Sequence, residues 1–287
     1  MTTINPQSTQ FELHLTISTE GQSAIALLAT ASGLSKQTIK QVMQNGALWL
    51  SHNGHTRRLR RAKQTLHSGD ELHLYYDRAI QSTVPPTPLL IADADDYSVW
   101  FKPQGMYSQG TKWGDHCAIG RWVERQLDRP TFIVHRLDRA ATGLILLAHK
   151  KRSAAKLSAL FAQRKINKQY RARVSGEFPV EPQLFEQAID GREARSHAHL
   201  ISYDADNNYS LVEVDIETGR KHQIRRHLSI AGYPIIGDRL YGCIEEDAQI
   251  KEDLQLLAYQ LSFTDPFSHE QKVYCVPKEL QPLLTRQ

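Results

Sequence analysis

Residues 133–151 read IVHRLDRAATGLILLAHKK, a stretch in which charged residues lead directly into an apolar run. Asp138 stands between Arg136 and Arg139, and the run from Leu144 to Ala148 is typical of a buried strand. A carboxylate at the start of a buried strand most often pairs with a nearby arginine in a turn. Taken alone, the stretch therefore favours a structural role, and other segments must decide whether it carries chemistry.

The composition is that of a folded protein. The chain has 287 residues, of which 40% are hydrophobic and 23% charged, enough for two domains with their own cores. Its start, MTTINPQSTQF, lacks the basic and apolar parts of a signal peptide, and no apolar run approaches the ~20 residues that cross a bilayer. Cys117, Cys243 and Cys275 are far apart and form no CxxC pair, which argues against structural zinc and disulfides. We expect a cytoplasmic monomer without a membrane partner.

Positive charge is segregated along the chain. The net charge is +4, yet no acidic residue lies between Glu20 and Asp70 or between Asp138 and Glu177, and a third basic window runs from Arg220 to Arg226. A polyanion is the partner that rewards segregated positive charge, because binding releases its counterions. Any single window is more often a solvated face, but three of them predict a nucleic-acid partner.

A proline-rich stretch, TVPPTP at 83–88, predicts a domain boundary. Before it, residues 23–31 and 35–45 predict two helices, each opening with a serine able to cap the first turn, and residues 47–50 and 71–76 predict strands. We therefore predict a small α/β domain over residues 12–77, a linker over 78–88 and a second domain over 89–287 that folds independently.

The first domain resembles the S-four-like RNA-binding module, named after a small-subunit ribosomal protein. The matching segments are GLSKQTIKQVMQNGALWL (33–50) and TRRLRRAKQTLHSGDELHLYYD (56–77). Such modules place basic side chains of the second helix and the following loop on RNA. The resemblance implies these RNA-binding residues: Lys36, Lys40, Arg57, Arg58, Arg60, Arg61 and Lys63.

The second domain alternates strands with a few helices. Strands are predicted over 97–101, 143–148, 168–174, 197–203, 210–216 and 256–263, and helices over 120–127, 153–163 and 221–231. Because turns and long connections separate most strands, a mixed, mainly antiparallel α+β fold is favoured over a doubly wound sheet. No GxGxxG, GxxxxGK[ST] or HExxH motif occurs, so the sequence predicts neither a cofactor nor a metal.

Two further polar segments stand beside apolar ones, at 167–172 and 218–228. Together they add a tyrosine and several arginines to Asp138. A carboxylate is a nucleophile or base, an arginine holds it ionised, and a tyrosine offers a stacking ring with a polar tip. Such a set can act on a base or its sugar without a metal.

These segments resemble the motifs of the RluA family of pseudouridine synthases, in the family's order. The matching blocks are KPQGM (102–106), HRLDRAATGLILLA (135–148), INKQYRA (166–172), ETGRKHQIRRHL (217–228) and GYPIIGDRLYG (232–242), and the likeness spans roughly residues 89–280. This sequence departs from the family at Ala141, where a serine or threonine is usual, and at Leu257, where a histidine is common.

The resemblance implies a reaction and roles for individual residues. The reaction is isomerisation of uridine in RNA, in which the N1–C1′ bond breaks, the uracil rotates and C5 rejoins C1′. Asp138 corresponds to the catalytic aspartate, Arg225 to its arginine partner and Tyr170 to the tyrosine that packs on the uracil. Arg136 corresponds to the residue that fills the space of the flipped nucleotide, and its neighbours His135 and Arg139 are assigned to RNA binding.

Three alternatives stay open. The first is a synthase acting on transfer RNA, although the S-four-like domain favours ribosomal RNA. The second is a non-catalytic RNA-binding protein, which the presence of Asp138 and Tyr170 disfavours. The third is a nucleoside hydrolase, which needs a second carboxylate or a metal. No acid lies between Asp138 and Glu177.

Overall fold

A computed structural model describes residues 9–242 and 252–281; Cys243 lies outside these ranges. The chain divides into two compact units. The first contains the residues up to Pro85 together with Gln109–Gln126, and the second contains Pro86–Ser108 together with the residues from Leu127 onward. Residues 109–126 therefore belong to the first unit, although they follow the proline-rich stretch in sequence.

The first unit combines a four-stranded antiparallel sheet with short helices. The strands are β1 (Gln10–Thr16), β2 (Leu48–His52), β3 (His55–Arg58) and β4 (Glu71–Asp77), in the order β1-β4-β2-β3. The helices are α1 (Ala24–Ser32), α2 (Lys36–Gln44), α3 (Arg78–Ser82) and most of α4 (Ile119–Leu127). Helix α3 occupies the first part of the segment for which a linker is predicted.

The two predicted serine caps are confirmed. The Ser23 hydroxyl accepts a hydrogen bond from the Ala26 amide at 3.4 Å, and the Ser35 hydroxyl accepts one from the Thr38 amide at 3.1 Å. Each cap satisfies an amide that the first helical turn leaves unpaired. The apolar faces of α1 and α2 then join the inner face of the sheet in one buried cluster.

Residues 109–126 contact the rest of the first unit through ion pairs and hydrogen bonds. The Asp115 carboxylate pairs with Arg58, 3.2 Å from its Nε, and with Arg60. The indole of Trp49 donates to the Lys112 carbonyl at 3.1 Å. Neither contact follows from local sequence preference, because the partners are more than 50 positions apart.

The second unit is built on a ten-stranded sheet. Its strands are β5 (Leu89–Asp93), β6 (Tyr97–Lys102), β7 (Phe132–Ile133), β8 (Thr142–Ala148), β9 (Asn167–Ser175), β10 (Gln183–Phe185), β11 (Ser196–Asp204), β12 (Tyr209–Ile216), β13 (Leu256–Thr264) and β14 (Gln271–Cys275). Its helices are α5 (Lys151–Ala162), α6 (Gln223–Ile230) and a 3-10 turn at Lys278–Leu280.

The strand order is β10-β11-β12-β9-β13-β8-β6-β5, with β14 beside β13 and β7 beside β8. Strands β13 and β8 run parallel, and the other pairs in the described part of this sheet run antiparallel. The predicted mixed, mainly antiparallel α+β fold is thus confirmed. Within residues 9–242 and 252–281, no helix is both long and apolar enough to cross a bilayer.

Candidate active site

The central strands of the second unit bring the predicted site residues together. Gly143 of β8 is paired with Ala258 of β13, and Ala258 is paired with Tyr170 of β9. Asp138 lies in the segment that leads into β8, so the sheet places it near Tyr170. Strand β12 is paired with β9 on the edge opposite to β13. Helix α6, which follows β12 in the chain, carries Arg225.

Asp138 is held between two basic side chains. Its Oδ2 lies 3.4 Å from Nη1 of Arg225, and its Oδ1 lies 3.8 Å from Nε2 of His222. The Asp138 side chain keeps 27% of its surface exposed, whereas Arg225 keeps 5%. The carboxylate is therefore paired but accessible, as a reacting group must be.

The tighter partner of Arg225 is a second aspartate. Nε of Arg225 donates to Oδ2 of Asp238 at 2.7 Å, and Nη2 donates to Oδ1 at 2.6 Å, a bidentate pair. Burial lowers the pKa of Arg225, but the hydrogen bond and charge of Asp238, with the charge of Asp138, outweigh it and leave the pKa raised. Burial would raise the pKa of Asp238, yet Arg225 and backbone amides hold it below its usual range.

Sequence reasoning missed Asp238 as a site residue. The signal was present, because Asp238 lies within the GYPIIGDRLYG block. The amides of Leu240 and Tyr241 donate to Asp238 Oδ1 at 3.0 and 3.1 Å. Asp238 thus holds Nε and Nη2 of Arg225, which leaves Nη1 to contact Asp138.

His222 has an unusual backbone conformation for a residue with a side chain. Its φ is 55°, in the left-handed region, at the N-cap of α6. Its ring Nδ1 is 3.0 Å from the Tyr241 hydroxyl, which orients Nε2 towards Asp138. Burial lowers the pKa of His222, against the raising effect of the Asp138 charge, so the neutral ring is favoured.

A recess of about 90 Å³ opens beside Asp138 and is also lined by Tyr170. Arg136 and Tyr170 line both this recess and an adjoining cleft of about 510 Å³. Burial, followed by the Asp138 charge, raises the pKa of Tyr170, so its hydroxyl stays protonated. Across the described residues, no group of three or more His, Cys, Asp or Glu side chains is arranged to hold a metal.

The residues flanking Asp138 differ in what they contact. Arg136 is exposed at the mouth of the recess. The guanidinium of Arg139 lies 4.7 Å from the Tyr107 ring, and its Nε donates to the Gly105 carbonyl at 3.1 Å. These contacts give Arg139 a role in shaping the loop.

His135 is half-buried and makes structural contacts. Its Nε2 accepts a hydrogen bond from the Leu146 amide at 2.9 Å, and its ring stacks on Phe161 at 4.4 Å. Burial lowers the pKa of His135 to about 3. A neutral ring that accepts a hydrogen bond from β8 does not contribute the positive charge expected of an RNA-binding group. His135 also lines the larger cleft.

Lys102 is a second residue that sequence reasoning did not assign to the site. It is fully buried at the end of β6, and its ammonium donates to the carbonyls of Ala141 at 2.6 Å and Met106 at 3.1 Å, among others. Burial lowers the pKa of Lys102 to about 7, with the Asp138 charge opposing it. Lys102 ties the KPQGM segment to the loop that carries Asp138.

The two departures from the family motifs have different surroundings. Ala141 is buried and lines the recess together with Asp138. Leu257 is fully buried in an apolar cluster with strands β6 and β8.

The seven basic residues of the first unit that are predicted to bind RNA fall into two groups. Arg58 and Arg60 are half-buried and engaged with Asp115 and backbone carbonyls. The others are exposed, namely Lys36, Lys40, Arg57, Arg61 and Lys63. Of these seven side chains, the five exposed ones are accessible to a partner.

Comparison with known proteins identifies the family of this chain. Residues 96–230 match the family model described as RNA pseudouridylate synthase. The chain is 30% identical over 219 residues to the dual-specificity RNA pseudouridine synthase RluA of Vibrio parahaemolyticus, covering 70% of this chain and 86% of that protein. The chain belongs to the RluA family of RNA pseudouridine synthases. The enzymes of this family are isomerases.

Other relatives are covered less completely. A protein named ribosomal large subunit pseudouridine synthase D from Zymomonas mobilis is 33% identical over 53% of this chain and 54% of its own length. The matches span only 38% and 49% of relatives from Caenorhabditis elegans and Chloroflexus aurantiacus. The solved structure titled Human RNA Pseudouridylate Synthase Domain Containing 1 shares the fold, with a TM-score of 0.59 at 20% identity, over 71% of this chain and 89% of that one.

Proposed function

We propose that this protein converts uridine into pseudouridine in structured RNA, with Asp138 as the reacting carboxylate. One observation carries the proposal: an accessible Asp138 carboxylate is held by Arg225 beside a recess that Tyr170 also lines. Tyr170 offers the ring on which a uracil packs, and Nη1 of Arg225 lies 3.4 Å from the carboxylate and pairs with it.

The chemistry needs no external reactant. The N1–C1′ bond breaks, C5 bonds to C1′, C5 loses its proton and N1 gains one, so the composition of the RNA is unchanged. The target base must leave its stack to reach Asp138, which costs a few kcal/mol. Arg136 at the mouth of the recess is placed to occupy the space that the base vacates.

We favour ribosomal RNA as the substrate. The resemblance of the first unit's sequence to the S-four-like module supports this choice, as does the similarity to the Zymomonas protein named for the large ribosomal subunit. Transfer RNA is the alternative, and the dual-specificity relative keeps it open. We further propose a cytoplasmic monomer, consistent with cysteines that form no paired motif.

Replacing Asp138 by Asn tests the chemistry, because the change keeps the shape and removes the carboxylate. We expect tritium release from RNA labelled at C5 of uridine to fall by more than about a thousandfold, with RNA binding retained. Carbodiimide mapping of RNA from a strain lacking the gene identifies the modified uridine. Full turnover by Asp138→Asn would refute the assignment, and release of free uracil would indicate hydrolysis instead.

A further inference from the structure

The cleft of about 510 Å³ beside the recess is lined by more positive than negative charge. Its cationic lining residues are Arg136, Arg164, Lys168 and Arg220. The one carboxylate among the described lining residues is Glu217, which lies 2.8 Å from His197 and 3.7 Å from Arg195. Glu217 therefore has its partners outside the cleft, and the four cationic lining residues outnumber this one carboxylate.

Lys168 is the most informative of these cations. It is half-buried on β9, and within residues 9–242 and 252–281 its ammonium has no hydrogen-bond or ion-pair partner. Burial, followed by the charge of Arg164, lowers the pKa of Lys168. A partly desolvated ammonium without a partner costs free energy, which an anionic ligand would recover.

Two of the other cations, Arg164 and Arg220, already have a partner that does not line the cleft. Arg164 lies 3.6 Å from the Glu193 carboxylate, and Nε of Arg220 donates to the Glu193 carbonyl at 2.8 Å. Glu193 therefore contacts both arginines. Arg136 lines the cleft and the recess at once, so it marks where the two spaces join.

Lys168 and Tyr170 are two positions apart on one strand, so their side chains point to the same face, about 7 Å apart along β9. A base packed on Tyr170 in the recess would leave its own sugar-phosphate chain to enter the neighbouring cleft. Lysine binds a phosphate as a point charge and needs no fixed fork geometry. The position of Lys168 therefore suits a backbone phosphate next to the target nucleotide.

We propose that the cleft formed by Lys168, Arg136, Arg164 and Arg220 is a subsite for an RNA backbone phosphate adjacent to the target uridine. This inference rests on the proposed function for the identity of the bound nucleotide. The binding of an RNA phosphate by Lys168 can be measured separately from isomerisation, so failure of one is distinguishable from failure of the other.

The first test measures binding of a short oligouridylate to the full chain at several salt concentrations. Lys168→Met should weaken binding about tenfold and reduce the log-log salt slope by about 0.7, the value for one phosphate contact on a single strand. Lys168→Arg keeps the charge and should restore both quantities. Lys165→Met is the matched control, because Lys165 is exposed and does not line the cleft.

The binding test has a clear contrary result. Equal slopes for wild type and Lys168→Met, or an equal loss in Lys165→Met, would overturn the subsite. A reduced slope in Lys168→Met in a protein that forms no pseudouridine would uphold the subsite as an RNA site and reject the proposed function.

The second test removes the phosphate charge instead of the lysine. A hairpin carrying the mapped uridine is prepared with a methylphosphonate at one flanking linkage at a time. In wild type, one such linkage should raise KM about tenfold, while kcat changes little; in Lys168→Met, the same linkage should cause no further loss. Additive losses at every flanking linkage would show that Lys168 does not contact a neighbouring phosphate.

Discussion

At the scale of single residues, the site depends on how Arg225 divides its hydrogen bonds. Asp238 takes Nε and Nη2 in a buried bidentate pair, which fixes the guanidinium. Nη1 is left for Asp138 at 3.4 Å, a separation that pairs charge without locking the carboxylate. Arg225 can therefore pair with one oxygen of Asp138 while the carboxylate stays available to a substrate.

Removing the charge of Asp238 should damage both stability and catalysis. Asp238→Asn leaves the buried Arg225 with one weaker partner, and we expect the free energy of unfolding to fall by about 3–5 kcal/mol. The matched control is Arg226→Met on the same helix, because Arg226 pairs at the surface with exposed Asp190 and should cost less than about 1 kcal/mol. Urea unfolding gives both values, and equal losses in the two variants would contradict the buried-pair account.

The sequence could identify Asp138, Arg225 and Tyr170 as candidates because each stands in a segment that resembles a motif of the RluA family. The structure brings all three to one recess. Sequence reasoning could not select Asp238 as the closer partner of Arg225, because ion pairing depends on which acid the fold delivers to a buried arginine. Lys102 was missed for a similar reason, since its partners are backbone carbonyls that carry no side-chain signal.

At the scale of secondary structure, the approach of β8 to β13 depends on Gly143. Its φ is 113°, and a Cβ there would lie 2.3 Å from the Ala258 carbonyl oxygen and 2.6 Å from the Ala258 nitrogen. Ala258 is the residue that connects Gly143 to Tyr170 across the sheet. The close approach of the two backbones therefore sets the spacing between the Asp138 segment and Tyr170.

Gly143→Ala should separate β8 from β13. The added methyl group meets backbone atoms that cannot move aside, and the φ of 113° is unfavourable for alanine, so we expect a loss of about 3 kcal/mol or more. Gly219→Ala is the control for stability, because nothing lies within 4 Å of the position of its added Cβ. If thermal unfolding shows the two variants to be equally stable, the contact between β8 and Ala258 does not constrain the sheet.

Adjacent arginines of β3 should have different functions. Arg57 is exposed, whereas Arg58 contacts Asp115 and lies 4.3 Å over the Trp49 ring. Arg57→Met should reduce the salt slope of RNA binding by about 0.7 and leave stability unchanged. Arg58→Met should cost about 1–3 kcal/mol of stability, because the Asp115 carboxylate loses a partner. Reversed effects in RNA titration and urea unfolding would mean that Arg58 faces the RNA.

At the scale of the whole molecule, the sequence predicts two units but not which residues belong to each. The proline-rich stretch indicates a boundary near residue 85, and the first unit does run to Pro85. Residues 109–126 then join that unit through Asp115, the Lys112 carbonyl and the Trp113 ring, which lies 5.8 Å from Tyr75. Contacts between residues this far apart in sequence do not affect local sequence patterns. The sequence therefore predicts a single boundary, with all residues before it in one domain and all residues after it in the other.

This path determines what happens when the first domain is deleted. The linear boundary predicts that the remainder folds alone, but removing residues 1–82 takes away Arg58, Trp49 and Tyr75 and leaves residues 109–126 without these partners. We expect that truncated protein to expose apolar surface, bind a hydrophobic dye and aggregate. A second truncation that also replaces residues 109–126 with a short Gly/Ser linker should remain in solution and bind less dye, because it removes the segment that has lost its partners. Light scattering and dye fluorescence compare the two proteins, and equal behaviour would show that residues 109–126 do not need the first unit.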